Sequence, residues 1–164
     1  MGPRLSAALA LVALLAGCGG STGTPRFRSA AGWHLLGAHG ELVAANVNLA
    51  PADRSLASPP FHTVASLPRR GTVIWLLVMS RRHGAIDAKF PARPLRVGNA
   101  LPSNTFEGFP CAPAVHCLAA SDAIRYMQAR LSNWDIALRV FFGTDHPSAG
   151  QIRAANAELA RLRP

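Results

Sequence analysis

Acidic side chains are scarce in this sequence, with eight Asp and Glu against seventeen Lys and Arg. None of Glu41, Asp53, Asp87, Glu107, Asp122, Asp135, Asp145 and Glu158 forms a close pair. A two-carboxylate site of the glycosidase kind would therefore have to be assembled from distant positions. The six histidines are scattered. His34 and His39 stand closest, but they lie across an expected turn with no cysteine or carboxylate at a ligand spacing, so no metal site is read. The Gly-x-Ser-x-Gly elbow, His-Glu-x-x-His, the P-loop and the dinucleotide fingerprint are all missing, and no cofactor is implied. Asp145 beside His146 is not read as a dyad, because adjacent side chains point apart and both stand where a helix has to begin. No catalytic residue is assigned. Lysine is almost absent too, Lys89 being the only one, and no basic block is longer than Arg81, Arg82 and His83. Nor does any apolar run reach the roughly 20 residues of a membrane-spanning helix.

What is present begins with Arg4 and the Leu-, Ala- and Val-rich run from Leu5 to Ala16, a positive n-region before a short h-region, which is the export pattern. Leu15, Ala16, Gly17 and Cys18 at its end resemble the lipobox of bacterial lipoproteins, over the first 18 residues only. The resemblance implies cleavage before Cys18, a diacylglyceryl group on its thiol and acylation (palmitate or a similar chain) at the new amino terminus. Two or more acyl chains anchor stably where one binds marginally. Residues 1–17 are thus expected to be a signal peptide and 18–30 a flexible Gly/Ser/Thr linker. Residues 31–164 are expected to form a single β-rich extracytoplasmic domain, held by lipid on the outer face of the bacterial cell membrane.

With Cys18 lipidated, Cys111 and Cys117 remain as an even pair in an oxidising compartment and are expected to form a disulfide. So short a loop gains on the order of 2–2.5 kcal/mol by the chain-entropy argument. The formal charge of +9 becomes +8 once Arg4 is removed. For an exported chain this balance favours anionic headgroups, an anionic wall polymer or an envelope protein over nucleic acid, which is not expected as a partner.

Along the domain, Gly32–Ala38 and Glu41–Leu49 read as half-exposed strands around a turn at His39 and Gly40, and Phe61 to Leu67 as a short extended piece. Val73 to Met79 reads as a central strand buried on both faces, which puts Arg69 and Arg70 at the opposite end from Arg81 and Arg82. Short strands are expected at Ile86–Phe90 and Leu95–Val97. Asn99 to Ala120 is expected to be a proline-rich loop, with Phe106, Phe109 and His116 as candidate binding residues.

Trp134 to Phe142 alternates apolar and polar residues. A two-residue turn at Ser132 and Asn133 would pair it with the preceding stretch, Arg130 opposite Asp135 and Met127 opposite Leu138. The competing reading is a helix over Asp122–Leu131 capped by Ser121. In the hairpin register Ile124 faces Phe141 and Tyr126 faces Arg139 on the outer side, a candidate contact patch unless another element covers it. Ser148 and Gln151 form a capping box for a terminal helix over 148–162, with an apolar stripe of Ile152, Ala155, Leu159 and Leu162.

The fold expected from these signals is mainly β: an antiparallel β-sandwich with a C-terminal helix packed at one edge, or an α+β domain if 122–131 is helical. The function expected is a non-catalytic binding or structural module of the cell envelope. The alternative is an envelope hydrolase whose acidic and histidine residues converge in three dimensions.

Overall fold

The computed structural model describes residues 23–28, 30–38, 40–55, 59–81, 90–103 and 121–164. The elements run β1 (Arg26–Phe27), β2 (His34–Ala38), β3 (Glu41–Ala45), a 3-10 turn (Pro51–Asp53), α1 (Phe61–Ala65), β4 (Thr72–Arg81), a second 3-10 turn (Val97–Asn99), β5 (Leu101–Ser103), β6 (Ser121–Leu131), β7 (Trp134–Phe142), α2 (Ala149–Leu159) and β8 (Leu162–Arg163). Six strands form one sheet in the order β2-β3-β4-β7-β6-β5, while β1 and β8 form a second, two-stranded sheet. All of these strand pairs are antiparallel. The fold is mainly β with a C-terminal helix, as the alternation of the sequence predicts.

The 122–131 stretch is a strand, not a helix. β6 pairs with β7 from Ile124↔Phe141 to Leu131↔Trp134, including Arg130↔Asp135 and Met127↔Leu138. The positive φ of the turn falls on Ser132, at 54°, rather than on Asn133. A register slip of one residue would turn every apolar side chain to the wrong face, so this alternation fixes the pairing strongly.

Because side chains alternate across a strand, the central strands supply two cores. Ile74 and Leu76 of β4, Met127 and Ala129 of β6, and Ile136, Leu138 and Val140 of β7 face one layer. It is closed by Ala155 and Leu159 of α2, Leu162 of β8, Phe27 of β1 and Val97. Val43, Val73, Trp75, Ile124 and Phe141 face the other, closed by Phe61 and Val64 of α1 together with Leu67 and Leu49. β3 is accordingly buried at Val43, Ala44 and Ala45 instead of half exposed.

Four expectations are corrected. The linker assigned to 18–30 is not a spacer throughout: Arg26 and Phe27 pair with Arg163 and Leu162, Pro25 is buried, and Trp134 Nε1 donates to the Gly23 carbonyl at 2.9 Å. The terminal helix ends at Leu159, and Leu162 belongs to β8; the apolar stripe continues into a strand because β1 offers it a backbone partner. Phe61–Ala65 is helical where an extended piece was expected. Its first turn is held by a carboxylate from outside the segment: Asp53 Oδ2 accepts from Thr63 N and Thr63 Oγ1, both at 2.6 Å, and Ala50 N donates to Thr63 Oγ1 at 2.9 Å. Finally, Val97 begins a 3-10 turn and the nearby strand is Leu101–Ser103, paired to β6. Residues 86–89 of the other expected strand lie outside the described residues.

Candidate functional site

The outer row of the hairpin has the predicted register, with Tyr126 opposite Arg139 and Ile124 opposite Phe141. It is not an exposed contact patch. Ile124 is 4% exposed, Arg139 5% and Phe141 1%. α1 covers part of this face, its Phe61 and Val64 packing against the cluster that holds Ile124 and Phe141, while Tyr126 is half-buried. Between α1 and the sheet there remains a cleft of about 280 Å³ lined by Val64, Leu67, Ile124, Phe141 and Asp145. Further along the same face the Arg139 guanidinium carbon sits 5.1 Å from the Trp75 ring centroid and 4.9 Å from that of Tyr126. Strand pairing puts the three side by side, Trp75 on β4, Arg139 on β7 and Tyr126 on β6. Trp75 Nε1 in turn donates to Glu41 Oε2 at 2.9 Å, tying β4 to β3. This row cross-links four strands.

The carboxylates described are held apart, each with its own partners. Asp53 closes α1. Asp135, fully buried, lies 3.4 Å from Arg130 Nε across the hairpin. Glu158, 1% exposed on α2, has Oε2 at 3.7 Å from Arg161 Nε and no hydrogen bond to Oε1. Burial pushes the Glu158 carboxyl above its usual range, and Arg161 offsets part of that rise. The buried roles of Asp53 and Glu158 escaped the sequence reading. In both, a charged residue type and local polarity spoke for solvent, and the partners that bury it are remote or emerge only from helix packing. Asp145 and His146 are exposed beyond the end of β7, where His146 N donates to Thr144 Oγ1 at 3.3 Å.

Two larger concavities lie at the ends of the sheet. At the start of α2, Arg69, Arg70, His146, Ser148 and Gln151 line a cleft of about 540 Å³, and Gln151 Nε2 donates to the Arg69 carbonyl at 3.1 Å. At the opposite end of the sheet, where the chain enters the fold, a cleft of about 600 Å³ lies between Gly23–Arg26, the β2–β3 turn, Val78 and Pro164. Arg69 and Arg70 are thus separated from Arg81 by the length of β4, as the central-strand reading predicts.

Cys18, Cys111 and Cys117 lie outside the described residues, as do Phe106, Phe109 and His116. Among the described residues no group of three or more His, Cys, Asp or Glu could hold a metal ion, and no helix is long and apolar enough to cross a membrane. Comparison with protein-family models, with curated proteins and with solved structures gives no match.

Proposed function

We propose that this chain is a lipoprotein of the bacterial cell envelope, anchored through Cys18, whose domain is a non-catalytic binding or structural module. The observation that carries the reading is the lipobox-like Leu15-Ala16-Gly17-Cys18, placed directly after an export-type apolar run and five positions before Gly23, whose carbonyl accepts from Trp134 of the body. The described carboxylates support the second half of the reading. Asp53, Asp135 and Glu41 each serve a packing or cross-strand contact, which suits a body built for rigidity.

The anchor is tested by Cys18→Ala. The variant is expected to lose incorporation of labelled fatty acid and to leave the membrane fraction, and continued labelling would reject Cys18 as the lipidated residue. The same export route places Cys111 and Cys117 where thiols oxidise, and we propose that they are bridged. Intact mass after alkylation without reductant is expected to show neither thiol modified, and two alkylated cysteines would reject the bridge.

A further inference from the structure

The lipid and the body are joined by very little chain. Five peptide steps separate Cys18 from Gly23, and a chain spans at most ~3.3–3.6 Å per residue, so the reach is at most about 17–18 Å. From Gly23 to Phe27 the backbone is held by the bond from Trp134, the burial of Pro25 and the pairing of β1 with β8. A body of this size is roughly 35–40 Å across. The tether is therefore shorter than the domain it holds, and it leaves the domain at one end of the large sheet.

That end is defined by the β2–β3 turn, the last residues of β4 and the β6–β7 turn. Leu77 pairs with Glu41, and Arg81 with Trp134. Its chemistry suits a lipid headgroup layer. Met79, 50% exposed, stands there as a large apolar side chain in solvent. Arg26 and Arg163, paired through β1 and β8, are exposed. Among the described residues the nearby acids are turned elsewhere, Glu41 onto Trp75 and Asp135 onto Arg130. Basic and apolar side chains together favour the surface of an anionic bilayer, guanidinium groups on the phosphates and the methionine among the upper acyl carbons.

We infer that the domain rests on the anionic membrane surface through this chain-entry end, with Met79, Arg26 and Arg163 against the lipid and the α2 N-terminal cleft, with Arg69 and Arg70, facing away. The inference rests on lipidation at Cys18.

The test uses the full chain, processed by its host, purified and reconstituted into vesicles of phosphatidylglycerol and phosphatidylethanolamine carrying brominated acyl chains. An environment-sensitive fluorophore is placed by Met79→Cys or, at the opposite end, by Asp145→Cys, and its position is confirmed by peptide mass. Bromine is expected to quench the label at 79 strongly and to leave that at 145 unchanged. A second arm inserts a Gly/Ser stretch of about 20 residues after Gly20, long enough for the domain to turn freely; the difference between the two sites is then expected to disappear. Intact mass of each sample reads lipidation separately. Lipid present with equal quenching at both sites, or stronger quenching at 145, overturns the orientation alone. A difference that survives the long insertion overturns the tether as its cause. Absence of lipid on the processed protein overturns the anchor and this inference with it.

Discussion

Single side chains here carry charge into places where water cannot follow. Arg139 illustrates the favourable case: its guanidinium lies between Trp75 and Tyr126, and such contacts contribute about 0.5–2 kcal/mol each as they become desolvated. Glu158 is the unfavourable one. Its carboxyl is raised by burial, so the folded protein holds a proton there more tightly than the unfolded chain does. That contribution to stability is fully present below the unfolded carboxylate range and is lost as pH rises through the raised folded-state value. Glu158→Gln keeps the shape and removes the titration. The variant is expected to melt at or above the wild type at neutral pH, with the gap narrowing or reversing as the pH is taken below the usual carboxylate range. Melting curves of both proteins from about pH 3 to about pH 8, a span that brackets the ordinary Glu value, read the difference directly. Parallel curves throughout would mean that Glu158 does not titrate on its own in the fold.

Elements are fixed partly by their own pattern and partly by neighbours that sequence does not bring near. The β6–β7 hairpin was legible because its register satisfies two faces at once, Met127 with Leu138 on one and Arg130 with Asp135 on the other. So was the cap of α2, since Ser148 and Gln151 satisfy each other within four residues. α1 was not legible, because the carboxylate that closes its first turn comes from Asp53, ten residues before Thr63. β1 read as linker for a related reason: the residues before it, Gly19 to Pro25, have the composition of a spacer, and the partner that makes Arg26 and Phe27 a strand is far away along the chain. The candidate patch failed with α1, since the element that covers it had been read as extended.

The joint between these elements is tight at Gly143. Its amide donates to the Gly71 carbonyl at 3.1 Å, and a Cβ built there would stand 1.9 Å from the Pro68 carbonyl oxygen and 2.6 Å from its carbon. Those are backbone atoms, which a rotamer change cannot move. Gly143→Ala is therefore expected to destabilise by about 1–3 kcal/mol or more, as overpacking does, and a denaturation midpoint equal to wild type would show that the Leu67–Pro68 turn gives way freely.

At the scale of the molecule, the small sheet is what ties the chain-entry segment to the body. Removing residues 18–28, so that the domain begins near Ser29, deletes β1, the Phe27 contact with the first core and the bond from Trp134 to Gly23. For a partly buried aromatic and a short strand together the expected loss is about 2–4 kcal/mol. Urea titration of the two soluble forms, both lacking lipid, checks this, and coincident transitions would mean that the entry segment is decoration on a body already complete.

The β1–β8 pairing also sets an order of events. β1 precedes and β8 follows nearly all of the described chain. A growing chain folds from its amino-terminal side as it appears, but this ribbon can close only when Leu162 and Arg163 have arrived, and such distant contacts form slowly. Until then α2 docks without its neighbouring strand, and β1 has no backbone partner. The entry strand of the described fold is therefore made early and locked late.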